Sequence, residues 1–158
     1  MSRSDRRLAV SALAVGVGMA VLSGHGGAAT SGGLPSQAAA RAVAYARQQL
    51  GKPYLWGGTG PSAFDCSGLV MEAYAHAGIG IARTSQAQWA TERHVTSPEP
   101  GDLVFYPGAD GTRTAPGHVA LVVGRGQMIE AYATGYAIRQ VPIRPGAVGY
   151  TQPWGGAR

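Results

Sequence analysis

The order of hydrophobic patterns along the chain limits its fold more than any other feature of the sequence. Before Pro100, apolar residues recur at helical spacing, as in residues 37–50, where Val43, Ala46 and Leu50 lie on one helix face. After Pro100, the pattern changes to short β-rich runs separated by glycines. Helices followed by antiparallel strands predict an α+β domain in which N-terminal helices pack on an antiparallel sheet.

The boundaries of these elements follow from caps and turns. Ser36 is a good N-cap for the first helix, and Gly51 and Gly78 are good stops for the first and second. We expect three helices, at residues 37–50, 66–77 and 85–91. We expect four strands, at residues 103–106, 118–123, 127–132 and 136–141. No strand is predicted in the polar, glycine-rich stretch from Thr151 to the end of the chain.

The first 29 residues have the pattern of a secretory signal peptide. Residues 1–7 carry three arginines, Leu8 to Ser23 are mostly apolar, and Ala28 and Ala29 offer a cleavage site. The alternative is a retained membrane anchor, because the apolar stretch approaches the roughly 17 residues that a membrane span needs. Either way we expect an extracytoplasmic protein, with a linker at 30–35, one folded domain at 36–154 and a tail at 155–158.

The charge of the chain argues against a nucleic-acid partner. The formal net charge is +5, but the arginines are scattered and form no basic run beyond the pair at positions 6 and 7. A mild attraction to an anionic wall polymer is compatible with this balance. We expect a monomer without a nucleic-acid partner, in contact with a membrane only through an uncleaved leader.

The chain contains a single cysteine, Cys66, which cannot form an intramolecular disulfide in an exported protein. It lies where a glycine-rich loop, residues 52–63, turns into the second helix. Free N–H groups and positive partial charge at a helix N-terminus favour the thiolate, which is the nucleophilic form of cysteine. The alternative is a buried cysteine that acts as a small apolar side chain.

A cysteine nucleophile needs a base and a group that orients the base. His118 is the best candidate base, because it begins an apolar strand just after a glycine, whereas His76 lies almost three turns along the cysteine's own helix and His94 lies in a polar loop. Glu130 lies on the next strand, within one cross-strand step of His118, and can hold the imidazole. The alternative for Glu130 is a solvated strand residue.

At this point the sequence resembles the NlpC-type peptidoglycan endopeptidases, a branch of the papain-like cysteine peptidases. Four segments carry the resemblance: PYLWGG at 53–58, FDCSGLV at 64–70, PGDLVFY at 100–106 and GHVALVVGRGQMIEA at 117–131. The resemblance spans roughly residues 38–153. It implies a papain-like α+β fold with the nucleophile at a helix N-terminus.

The resemblance also implies roles for particular residues. The implied catalytic residues are Cys66, His118 and Glu130. The implied substrate-binding residues are Tyr54, Asp65, Ser67 and Ser85. No cofactor and no metal are expected, because the chain lacks an HExxH motif, paired cysteines and a calcium-loop pattern.

The implied function is a secreted, wall-associated cysteine endopeptidase whose substrates are peptidoglycan stem peptides. The implied bond is that between D-γ-glutamate and meso-diaminopimelate. The alternatives are an N-acetylmuramoyl-L-alanine amidase, a transferase with the same triad, and a non-catalytic wall-binding module.

Overall fold

The structure, a computed structural model, describes residues 36–155 of the 158-residue chain. The predicted signal peptide at 1–29, the linker at 30–35 and all but the first residue of the predicted tail lie outside the described residues. The described part is an α+β domain, which confirms the predicted fold class.

Within the described residues, three helices come before the sheet: α1 (Gln37–Gln48), α2 (Cys66–His76) and α3 (Ser85–Thr91). Ser36 caps α1 as predicted, since its Oγ accepts a hydrogen bond of 3.1 Å from the Ala39 N–H. Gly78, with φ of 84°, follows the end of α2 and supplies the left-handed backbone that stops the helix.

The end predicted for α1 was two residues too late. The backbone N–H groups of Gln49 and Leu50 donate to carbonyls three residues back, which closes the helix with a tighter turn. Gly51 then adopts φ of 86° and donates its N–H to the Ile138 carbonyl. Leu50 therefore lies beyond the helix and is 40% exposed, instead of extending the apolar face.

Six antiparallel strands form one sheet: β1 (Arg93–Val95), β2 (Leu103–Tyr106), β3 (His118–Gly124), β4 (Gln127–Glu130), β5 (Arg139–Pro142) and β6 (Gly149–Gln152). Their order across the sheet is β1-β6-β2-β3-β4-β5. The strand β3 is buried over nearly its whole length, as its continuous apolar sequence predicts.

The central strands are buried on both faces of the sheet. On one face, residues such as Phe105, Val119 and Leu121 join the core formed with α1 and α2. On the other face, a second cluster contains Val104, Tyr106, Ala120, Val122 and Met128. Since side chains alternate along a strand, His118 shares the second face with Ala120, at the end of β3 nearest the cysteine helix.

Two predicted strands were too long at one end. The strand expected at 127–132 ends at Glu130, and the strand expected at 136–141 begins only at Arg139. Residues 136–138 pair instead with the loop after α1: the Ile138 N–H donates to the Lys52 carbonyl, and the Tyr54 N–H donates to the Tyr136 carbonyl. These bonds tie the loop before the cysteine to the sheet.

Two strands were absent from the prediction. Strand β1, which contains His94, pairs with β6, so His94 lies on a strand and not in a loop. Strand β6 includes Thr151 and Gln152, both buried, although this stretch was expected to be irregular. Across residues 36–155, no helix is both long and apolar enough to cross a membrane.

Candidate active site

Cys66 is the first residue of α2, and Asp65 is its N-cap. The Oδ1 of Asp65 accepts the Gly68 N–H at 2.6 Å, and the first backbone bond of the helix runs from the Leu69 N–H to the Asp65 carbonyl. The N–H of Cys66 is therefore not used by the helix ladder. The cysteine is partly exposed, and its Sγ lies 3.9 Å from the Gly117 carbonyl, one residue before His118.

The loop before α2 packs tightly against its first turn. A Cβ at position 68 would overlap the Gly58 carbonyl, which itself accepts the Asp65 N–H at 2.9 Å. The other carboxylate oxygen of Asp65 accepts the Gly57 N–H at 3.0 Å. Only glycine fits at position 68, and this close approach fixes the backbone on both sides of Cys66.

His118 is buried at the start of β3, and its ring contacts groups on two different elements. Its Nε2 lies 3.0 Å from Oε2 of Glu130. Cys66 lies close enough to influence the charge of this ring, and because Nε2 faces Glu130, Nδ1 is the nitrogen left for the thiol. Burial lowers the pKa of His118, but the hydrogen bonds and charges of Cys66 and Glu130 outweigh it and raise the pKa above its usual value.

Glu130 is fully buried and accepts hydrogen bonds from three side chains. Besides His118, these are Arg139, at 3.0 and 3.1 Å, and Arg144, at 2.7 and 2.9 Å. Burial raises the pKa of Glu130, but the hydrogen bonds and charges of His118 and Arg144 lower it to about 2. Glu130 is therefore a carboxylate at neutral pH and not the solvated strand residue of the alternative interpretation.

The two arginines were not identified from the sequence, where they appeared as two of many scattered basic residues. Arg139 lies directly opposite Glu130 in the β4–β5 register. The register predicts this pair only when the start of β5 is known, and the predicted start of this strand was wrong. Arg144 follows β5 in a loop, so no strand or helix pattern places it beside Glu130.

All four residues expected to bind substrate lie around one cavity of about 520 Å³ that reaches Cys66. Its lining includes Tyr54, Asp65, Ser67 and Ser85. Arg83 was not among the residues expected to bind substrate, yet it also lines this cavity. It donates to both oxygens of Asp65, at 3.1 and 2.6 Å, and to Ser67 Oγ at 3.0 Å.

A second cavity of about 350 Å³ also borders Cys66. It is lined by His118, Tyr132 and Asp110, among others. Trp56, which is 73% exposed, borders both cavities, so it is a groove-wall residue and not a core residue. A substrate chain that occupied both cavities would pass across Cys66.

Tyr54 also borders both cavities. Burial, together with the nearby Cys66 and Asp65, raises the pKa of its phenol. Tyr54 therefore keeps its proton at neutral pH and can donate a hydrogen bond into the cleft.

The other two histidines in the described residues lie elsewhere. His76 stacks on Tyr45 and its Nδ1 lies 2.9 Å from the Glu72 carbonyl. His94 contacts Trp89 through its ring and through the backbone carbonyl. Within residues 36–155, no group of three acidic, histidine or cysteine side chains could hold a metal ion.

The fold and the site together define an α+β protein with a cysteine at a helix start, next to a buried histidine–glutamate pair on the sheet. The sequence profile of the NlpC/P60 family matches residues 51–152. The chain belongs to the NlpC/P60 family.

Individual relatives agree with this assignment. The chain is 45% identical over 95 residues to a Listeria monocytogenes protein named "Probable endopeptidase p60", which covers 59% of this chain and 19% of that protein. It is 40% identical over 138 residues to peptidoglycan endopeptidase RipB of Mycobacterium tuberculosis, which covers 74% of this chain and 55% of that protein. The chain thus spans about a fifth of the length of p60 and about half that of RipB.

A solved structure with the same fold is the P60 domain of an antigen from M. avium subspecies paratuberculosis. It matches with a TM-score of 0.64 and 33% identity, over 73% of this chain and 94% of that chain. The match covers nearly all of that domain.

Proposed function

We propose that this chain is a secreted cell-wall hydrolase, a cysteine endopeptidase that cuts the peptide stems of peptidoglycan. The names of the relatives support the substrate class, since RipB is called a peptidoglycan endopeptidase and p60 an endopeptidase. The proposed leader at residues 1–29 would carry the domain to the wall.

The observation that carries the proposal is the arrangement of three side chains. Cys66 lies at a helix N-terminus, His118 lines a cavity with it, and Glu130 accepts a hydrogen bond from Nε2 of the His118 ring. This is the nucleophile, base and orienting group of a cysteine peptidase. A non-catalytic wall-binding module has no need for this arrangement.

The geometry supports a two-step reaction. Cys66 Sγ, as thiolate, attacks the carbonyl carbon of the scissile amide, and the C–N bond breaks as protonated His118 gives its Nδ1 proton to the leaving amine. A water molecule then attacks the thioester and gives a proton back to His118, which releases the carboxylic acid product and restores the thiolate–imidazolium pair. The unused N–H of Cys66 can stabilise the oxyanion in both steps.

The proposed bond is that between D-γ-glutamate and meso-diaminopimelate. Stem peptides carry carboxylate, amide and amine groups. The larger cavity offers partners for all of them: the cationic Arg83, the anionic Asp65, and the hydroxyls of Ser67 and Ser85. The acyl part of the substrate would lie in this cavity and the leaving amine in the cavity beside His118.

Digestion of purified muropeptides, read by mass spectrometry, tests this function. The protein should leave L-alanyl-D-glutamate on the sugar and release peptides that begin with diaminopimelate, whereas Cys66→Ala should release nothing. Release of the whole stem, with a free lactyl group on the sugar, would show an amidase instead. Equal wall lysis by Cys66→Ala and the unsubstituted protein would contradict any cysteine mechanism.

Secretion needs its own test. Expression of the full chain in a bacterial host should give an extracellular or wall-bound protein whose N-terminus lies just after Ala28 or Ala29. An intact leader on a membrane-bound product would favour the retained anchor instead.

A further inference from the structure

The side of Glu130 that faces away from His118 is closed by two guanidinium groups. Arg144 contacts both carboxylate oxygens, with Nη1 at 2.7 Å from Oε1 and Nη2 at 2.9 Å from Oε2. Arg139 contacts Oε1 alone, through Nε and Nη2. Oε2 is therefore shared between Arg144 and His118, while Oε1 is shared between the two arginines.

The arginines are themselves fixed in place by aromatic side chains. The Arg144 guanidinium lies over the Tyr106 and Tyr132 rings, at 4.8 and 5.3 Å. The Arg139 guanidinium lies over the Tyr132 and Tyr136 rings, at 4.9 and 4.8 Å. The Arg144 backbone is also tied to β2, because its N–H donates to the Tyr106 hydroxyl and its carbonyl accepts from that hydroxyl. Because the Arg144 backbone and its guanidinium are both held in place, the guanidinium presents a single orientation to the carboxylate.

We propose that Arg144, assisted by Arg139, is a positioning residue that sets how strongly Glu130 acts on His118. This inference rests on the proposed function. The Arg144 fork turns Oε2 toward His118, and its charge offsets part of the negative charge that His118 experiences. The imidazolium is thus held in place but not so tightly that it keeps the proton that the leaving amine needs.

The groups around the His118 ring decide whether removal of an arginine raises or lowers the pKa of His118. The titratable and charged groups that face it or its partner come from every element around the ring. They are Tyr54 in the loop before α2, Cys66 on α2, Tyr106 on β2, Asp110 in the loop before β3, Glu130 on β4, Tyr132 after β4, Arg139 on β5 and Arg144 after β5. Removing a cation from this set leaves Glu130 less compensated, so the protonated form of His118 becomes more stable and its pKa rises.

The variants Arg144→Gln and Arg144→Lys separate charge from geometry. In Arg144→Gln, the alkaline limb of kcat/KM, where His118 loses its proton, should move up by about half a pH unit or more. Arg144→Lys keeps the charge but not the fork, so the limb should stay where it is while kcat falls several-fold. Arg41→Gln, which removes the same charge from the exposed face of α1, is the matched control and should match the unsubstituted protein.

A second readout does not depend on activity. The NMR titration of the His118 ring in a Cys66→Ala background should show a higher midpoint with Arg144→Gln than without it, and an unchanged midpoint with Arg144→Lys. If muropeptides are not cut by the unsubstituted protein, the proposed function fails, but this titration still decides the role of the arginines.

Arg139→Gln covers the case in which Arg144→Gln does not fold. It leaves the Arg144 fork in place and should raise the His118 midpoint in the same direction by a smaller amount. If the folded variants leave both the midpoint and the alkaline limb unchanged, the arginines are structural and the proposal is wrong. A downward shift in either readout would overturn it as well.

Discussion

Two carboxylates belong to the site, Asp65 next to Cys66 and Glu130 next to His118. Each is paired with arginine, but their other partners differ. Asp65 binds Arg83 on one side and the backbone N–H groups of the loop and helix on the other. Glu130 binds side chains only: His118 and the two arginines behind it. The side chain of Asp65 is 10% exposed at the cleft, whereas that of Glu130 is fully buried.

Under the proposed cysteine mechanism, this difference gives the two carboxylates different tasks. Asp65 fixes a backbone, and with it the position of the Cys66 sulfur. Glu130 fixes a side chain that gains and loses a proton, so its charge matters as much as its position. We therefore expect changes at Asp65 to act through stability and geometry, and changes at Glu130 to act through pH as well.

The largest effect is expected for Glu130→Ala. It leaves two arginines and a histidine without their buried anion, which should cost about 3–5 kcal/mol in the free energy of unfolding. The kcat should fall at least about 100-fold, because His118 is no longer held. Urea denaturation and muropeptide cleavage measure the two losses. A Glu130→Ala protein with ordinary stability would show that the buried cluster contributes little to the fold.

Acid titration of stability isolates the charge of Glu130. Because its pKa is about 2 in the folded state, against 4.5 for an ordinary glutamate, its contribution is fully present above pH 4.5 and is lost as the pH falls toward 2. The difference corresponds to about 3 kcal/mol. In Glu130→Gln, the free energy of unfolding, measured by urea denaturation, should depend less on pH between 4.5 and 2. An unchanged pH dependence would contradict a Glu130 pKa of about 2.

His118 contributes with the opposite sign. Its pKa is raised in the folded state, so its contribution is present below the ordinary value of 6.5 and is lost as the pH rises through the folded value. In His118→Gln, the decline of stability above pH 6.5 should be shallower than in the unsubstituted protein. A steeper decline in His118→Gln would show that burial outweighs the bonds to Cys66 and Glu130.

The effect of replacing Asp65 should depend more on which side chain is introduced than the effect of replacing Glu130 does. Asp65→Ala removes the N-cap of α2 and the partner of Arg83, which should destabilise the fold by about 2 kcal/mol. Asp65→Asn keeps an acceptor oxygen for the Gly68 N–H and should lose about half of that. The position of the pH limbs should not change in Asp65→Asn, whereas a shift there would erase the proposed difference between the two carboxylates.

The smallest effect on stability is expected for Arg83→Gln. The Arg83 side chain is 37% exposed, so its ion pair with Asp65 should be worth about 0.5–1 kcal/mol. Because Arg83 lines the larger cavity, KM should rise more than kcat falls. Steady-state kinetics on a soluble stem peptide measure this split, and a fall in kcat alone would place Arg83 outside the substrate-binding surface.

The parts of the fold that the sequence predicted are those set by local patterns. The cap at Ser36 and the apolar run of β3 are short-range signals. The run of β3 and the strand predicted after it were enough to predict Glu130 near His118. Strands β1 and β6 were not predicted because each is short and partly polar, and because their partner strands lie more than forty residues away. No local pattern encodes such a pairing.

The same limit applies to the site. Residues next to Cys66 along the chain, such as Asp65 and Ser67, could be found by motif. Arg83, Arg139 and Arg144 reach their carboxylates through tertiary contacts, and a scattered arginine looks the same in sequence whether it is solvated or holds a buried anion. The catalytic and binding roles of all these residues stay predictions until they are tested.

The central claim, that His118 activates Cys66, can be tested most directly by the rate at which the single cysteine is alkylated. Cys66 is the only thiol in the chain, so iodoacetamide labelling followed by intact-mass spectrometry reports on it alone. At pH 6, the unsubstituted protein should react at least about tenfold faster than His118→Ala, because the imidazolium stabilises the thiolate. Equal rates in the two proteins would contradict the account.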